Sequence, residues 1–123
     1  MNLQPKKIQF ENYQPDFLIT GNHLQYTAGN ITLDSSELSV GQVVAQGTAV
    51  YEDEETGLFH LVQEDTPATM KGAVLTVHAV RIEDTAVNEL TSGLVAGSVW
   101  EEKTHGVTDN FKDAVKNRIN FDL

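Results

Sequence analysis

The chain contains no cysteine, which excludes disulfide staples, thiolate nucleophiles and every metal centre built on thiolates. It also lacks an apolar run approaching the roughly 18 residues that a membrane-crossing helix needs. Basic residues are few, 8 against 18 acidic, for a net charge of −10. A surface of that sign repels phosphate, so no nucleic-acid partner is expected. The opening thirty residues lack the basic–apolar–small order of a secretory signal, so export by that route is not expected. The sequon Asn30-Ile31-Thr32 accordingly carries no weight. At 123 residues the chain has the length of one domain with a single core.

What is present is unevenly distributed. In residues 1–33, Lys6 and Lys7 balance Glu11 and Asp16, so the net charge of −10 resides entirely in the remainder. The neutral opening carries Pro5 and Pro15 and no long periodic pattern. Residues 1–30 are therefore expected to form an extended arm that lies on some other surface, and residues 31–123 a compact body.

Within the body, apolar residues come in short runs separated by glycine and acidic clusters, the pattern of short strands. Residues 42–52 (QVVAQGTAVYE) predict a strand bent or bulged at Gly47. The polar stretch 52–57, ending in Gly57, suits a hairpin loop, with residues 58–63 as the returning strand. Gly72 opens the longest apolar run, residues 73–82, and both of its alternating faces are mostly apolar. That predicts a central strand covered on each side. A further extended stretch, residues 90–100, is punctuated by Gly93 and Gly97.

One segment has helical spacing. Thr108 is placed to cap it, Asp109 falls in the first turn, and Phe111, Ala114 and Val115 share a stripe. Lys112, Lys116 and Arg118 sit toward the negative end of the helix dipole. The helix is expected over residues 108–117. Ile119, Phe121 and Leu123 then alternate with polar residues, predicting a short closing strand. The fold class expected is mainly β: a small barrel- or sandwich-like body with one C-terminal α-helix and an extended N-terminal arm.

Catalytic constellations are hard to find. His23, His60, His78 and His105 form no i, i+4 pair and no zinc-ligand motif, and His78 sits inside an apolar run where a core or interface role is expected. No serine lies in a nucleophile-elbow context. The acidic run Glu52, Asp53, Glu54, Glu55 lacks the alternating oxygen ligands of a calcium loop and is read as a solvated turn. No enzyme activity, metal or cofactor follows from these residues. Residues 39–50 (SVGQVVAQGTAV) resemble a segment of biotinyl and lipoyl carrier domains. The candidate modified residue Lys71, after Met70, follows that segment in the wrong order.

Residues 13–21 (YQPDFLITG) form an extended peptide, since Pro15 biases Gln14 away from helix, and carry an aromatic–aliphatic set. This stretch resembles the YxPDxLIxG segment near the N-terminus of phage head decoration proteins of the lambda type. The family's next strand and glycine-marked turn correspond to Ile31-Thr32-Leu33 and Val40-Gly41-Gln42-Val43-Val44. Its acidic hairpin, its glycine before an apolar strand, and its C-terminal helix followed by a strand have counterparts at residues 52–57, 72–75 and 108–121. Ser35-Ser36 stands where the family usually has glycine, and Ser39-Val40 where it has a basic residue.

The resemblance implies a β-rich homotrimer on local threefold axes of the expanded capsid, bracing the major capsid protein against the pressure of packaged DNA. It implies residence on the outer capsid surface of the virion, and in the host cytoplasm during assembly. Arms of this kind add a strand to a capsid-protein sheet edge, and a threefold array multiplies weak attachments. On this reading Tyr13, Pro15, Phe17, Leu18 and Ile19 are the expected capsid contacts, with Asp16 fixing the turn or pairing with a basic group. Trp100, Val99 and Leu94 are candidates for either the core or a trimer interface. Alternative readings are a tail or baseplate accessory protein and, from a different class, a carrier domain modified at Lys71.

Overall fold

The computed structural model describes residues 17–18, 24–27 and 29–121. Among these the chain is mainly β, with one short C-terminal α-helix. The strands are β1 (Gln25–Tyr26), β2 (Ile31–Leu33), β3 (Val43–Val44), β4 (Ala49–Glu52), β5 (Phe59–Leu61), β6 (Lys71–Thr76), β7 (Val80–Arg81), β8 (Glu89–Thr91), β9 (Gly93–Ser98) and β10 (Ile119–Asn120). The helix α1 spans Asp109–Val115, and two 3₁₀ turns cover Ser35–Glu37 and Glu101–Lys103. The main sheet runs β1-β9-β6-β4-β5-β2-β8, with β10 added alongside β9. It is mixed, because β2 lies parallel to β5 and β10 parallel to β9, while the other ladders are antiparallel. A separate ribbon pairs β3 with β7.

Side-chain alternation along the central strands makes two apolar layers. Ala73 and Leu75 of β6, with Ala49 and Leu94, face a cluster completed by Phe17, Leu18, Val99, Phe111, Val115 and Ile119. Val74 and Val50 face the other way, into a cluster with Ile31, Leu33 and Val44. The expectation of a central strand covered on both sides therefore holds for residues 73–76. It fails beyond Val77, where the run leaves the sheet and re-forms as β7 in the ribbon. His78 lies in this break and is exposed, so its expected core or interface place is corrected. Both faces of residues 73–76 are apolar because each meets one of the two layers, while Val80 packs onto the second layer from the ribbon.

Residues 42–52 divide in the same manner. β3 belongs to the ribbon, β4 to the main sheet, and Gly47 between them has φ 81°. A Cβ at Gly47 would lie 3.1 Å from the Phe17 ring and 3.2 Å from the Lys103 carbonyl oxygen, so this turn requires glycine both for its dihedral and for space. Buried polar groups hold the crossing. Thr76 Oγ1 accepts from the Thr48 N–H at 3.1 Å and donates to the Ala45 carbonyl at 2.9 Å. Thr48 Oγ1 donates to that same carbonyl at 2.6 Å. The Gly47 N–H donates to Thr76 O and the Thr76 N–H to Thr48 O, at 2.7 and 2.9 Å.

The helix forms as its sequence predicts, two residues shorter at its C-terminal end. Thr108 caps it, its hydroxyl accepting from the Phe111 N–H at 3.1 Å. Phe111 and Val115 are buried against the sheet layer that contains β6. Arg118 has a different place from the one expected at the helix dipole. Its guanidinium donates to the Val95 carbonyl at 2.7 Å and the Ala73 carbonyl at 3.0 Å, tying β9 to β6 beyond their last paired residues.

The domain boundary is also corrected. Phe17 is fully buried, Leu18 bridges Val99, and β1 pairs with β9, so the body begins no later than Phe17. Leu94 and Val99 are fully buried too, which removes them as interface candidates in the folded chain, whereas Trp100 is half-buried.

Two stability outcomes follow. Phe17→Ala removes a ring from a closed core and is expected to lower unfolding free energy by about 3–5 kcal/mol in urea titration. Thr76→Val leaves the Thr48 N–H buried without its partner and is expected to cost about 1–3 kcal/mol by the same measurement.

Candidate functional site

The residues expected to touch a capsid divide into two groups. Tyr13, Pro15, Asp16 and Ile19 lie outside the described residues. Phe17 and Leu18 are placed in the core, at 0 and 3 % exposure, which corrects their assignment as surface contacts. The Phe17 ring packs against Gly47, and its carbonyl accepts from the Trp100 N–H at 2.8 Å. The reason is geometric: Leu18 pairs with Val99 just past the end of β9, which sets the Phe17 ring in the space that Gly47 leaves open. Phe17 and Leu18 thus plug the core beside the end of β9.

A second location gathers polar chemistry. A groove of about 440 Å³ is lined by Glu37, Leu38, Gln42, Tyr51, Asp53, His60, Leu61 and Gln63. His60 projects from β5, beside Tyr51 of the neighbouring β4 with ring centroids 5.9 Å apart. Its Nε2 lies 3.8 Å from Asp34 Oδ2 and 3.6 Å from Asp53 Oδ2. Asp34 caps the first 3₁₀ turn, which also carries Glu37, and donor atoms of Asp34, Glu37 and His60 all fall within 4.8 Å of one another. Asp53 opens the acidic hairpin loop, where its Oδ1 accepts from the Glu55 N–H at 2.9 Å.

The carboxylates are oriented by their own loops. Asp34 Oδ1 accepts from the Ser36 hydroxyl at 2.6 Å and the Ser36 N–H at 3.1 Å, leaving Oδ2 turned to His60. The Ser36 hydroxyl bond does most to hold the Asp34 carboxyl below its ordinary range, against a partial desolvation that raises it. The Ser36 N–H and the His60 charge add to the lowering.

Sequence reasoning passed over this set. Asp34 and Glu37 are three apart, but His60 comes from a different strand, and only the parallel β2–β5 pairing, Leu33 opposite Phe59, brings the segments together. The acidic run, a solvated turn by its sequence, contributes one member, Asp53, while Glu54 and Glu55 are exposed as expected of such a turn. Lys71 opens β6 in register with Glu52 of β4, which differs from the hairpin tip on which a carrier domain presents its modified lysine.

A pH-dependent outcome follows from Asp34. The Ser36 bonds favour its carboxylate, so their contribution is complete above the ordinary carboxylate range and disappears as pH falls through the lowered value. Ser36→Ala is therefore expected to be less stable than the natural chain at neutral pH and equally stable in strong acid, read from urea midpoints at both. A difference that persists in strong acid would mean that Ser36 acts independently of Asp34 ionisation.

Comparison with protein-family models, with curated proteins and with solved structures yields no match to this chain.

Proposed function

We propose that this chain is a phage head decoration protein of the lambda type. It binds the major capsid protein as a homotrimer at local threefold axes and braces the expanded shell. The observation that carries the reading is the segment 13–21 (YQPDFLITG) and its resemblance to the family's N-terminal stretch. The order of elements supports it: an acidic hairpin between β4 and β5, Gly72 in β6, and a Thr108-capped helix leading into β10.

Burial of Phe17 and Leu18 changes how the attachment is divided. Residues 1–16 are the capsid-contacting arm in this proposal, with Tyr13, Pro15 and Asp16 as contacts. Phe17 and Leu18 hold that arm to the body. Three arms joined to one trimer act at high effective concentration, so individually weak contacts give a firm attachment. Strand addition would draw on main-chain hydrogen bonds from the arm. The acidic body adds little adhesion and keeps free subunits apart.

A head-binding assay tests this. Deletion of residues 1–16 should leave the circular dichroism spectrum and melting temperature unchanged and weaken attachment to expanded heads by at least about tenfold, the loss expected when interface anchors are removed. Deletion of residues 1–21 should also destabilise the body, because it takes Phe17 and Leu18 with it. Unchanged attachment after deletion of residues 1–16 would place the contact surface on the body. Density for this chain on the tail rather than the shell, in electron cryomicroscopy of the parent virion, would overturn the proposal in favour of a tail accessory protein.

A further inference from the structure

We propose that His60, Asp34 and Glu37 form a binding site for a divalent transition-metal ion of the zinc type, with Asp53 standing beside His60. This inference is independent of capsid attachment. Three separate pieces of chain converge on the site: the first 3₁₀ turn, strand β5 and the β4–β5 loop.

The donor set distinguishes it from the other acidic positions of this chain. Glu83 and Asp84 are exposed neighbours, and no histidine joins them among the described residues within metal-ligand range. Here an imidazole nitrogen, only 17 % exposed as a side chain, faces two carboxylate oxygens. Imidazole together with carboxylate suits zinc and its first-row neighbours, whereas calcium and magnesium prefer oxygen alone.

The separations are informative. At 3.6 and 3.8 Å the contacts from Nε2 are too long for hydrogen bonds. Donors about 2.0–2.1 Å from a tetrahedral ion stand about 3.3–3.4 Å apart. The two gaps at Nε2 are a few tenths of an ångström wider than that, and the Asp34, Glu37 and His60 donors, all within 4.8 Å of one another, close around an ion by side-chain rotation. Little rearrangement stands in the way, because Ser36 already holds the other oxygen of Asp34, and the Glu55 N–H holds that of Asp53. Glu37 is exposed and free to swing inward, and the groove gives an entry path.

Isothermal titration of the full, untagged chain with zinc chloride should show one saturable site per chain, and the melting temperature should rise with zinc concentration. Calcium chloride at the same concentrations should leave the melting temperature unmoved. Glu37→Gln, at an exposed position that leaves the fold intact, should weaken zinc binding by about tenfold or more, as loss of a group from a metal's shell does. His60→Gln should abolish both binding and the visible absorption of cobalt used in place of zinc. Absence of a zinc site in the natural chain would overturn the proposal. So would equal shifts with calcium, or full zinc affinity in both variants. None of these readouts involves capsids, so failure here leaves the decoration reading as it stands.

Discussion

The turn at residues 45–48 is the constraint on which the architecture depends. There the chain passes from the β3–β7 ribbon into the main sheet, and the crossing is buried, so every polar group must find a partner inside the protein. The Thr76 and Thr48 hydroxyls share the Ala45 carbonyl, and the Thr76 and Thr48 backbones interlock across the same turn. Gly47 takes a left-handed dihedral with no side chain to spare, and the Phe17 ring occupies the space beside it. Two sheets, two apolar layers and the entry point of the N-terminal segment meet at these few residues.

That meeting point has a functional consequence. On the decoration reading proposed above, the attachment segment leads straight into that point. The Phe17 carbonyl accepts from the Trp100 N–H and Leu18 pairs with Val99, within the cluster that also holds Phe111 and Val115 of α1. On that reading, load carried by residues 1–16 would pass into the core through Phe17. Of residues 13–21, Phe17 and Leu18 serve the core, while on the proposed reading the residues before them serve the capsid.

The polar groove stands apart from this axis. It is built where β2 and β5 run parallel for a single register pair and then part, because the chain after Leu33 turns into the 3₁₀ segment. The divergence leaves His60 with the carboxylates of two loops on one side and Tyr51 of β4 on the other. Local hydrogen bonding orients Asp34 and Asp53, while the longer-range strand pairing decides that they face the same nitrogen.

Much of the fold was legible because it is encoded locally. The acidic hairpin follows from a polar run ending in Gly57, the helix from Thr108 and the spacing of Phe111 and Val115, and the closing strand from alternation after Arg118. Those signals depend on near neighbours and survive whatever the rest of the chain does. Other features had no local signature. Phe17 and Leu18 are adjacent and show no period, so their burial depended on the cavity beside Gly47, some thirty residues later. The run 73–82 is apolar on both faces whether it forms one strand or two, and only its partners β4, β9 and β3 divide it at Val77. Arg118 suited a helix terminus until β6 and β9 left two carbonyls within its reach. His60 and Asp34 acquired a common site only when parallel pairing set Leu33 beside Phe59. Sequence by itself determined which backbone each segment prefers; tertiary structure decided which face each segment covers, because burial and long-range hydrogen bonds are properties of pairs of segments that no single segment contains.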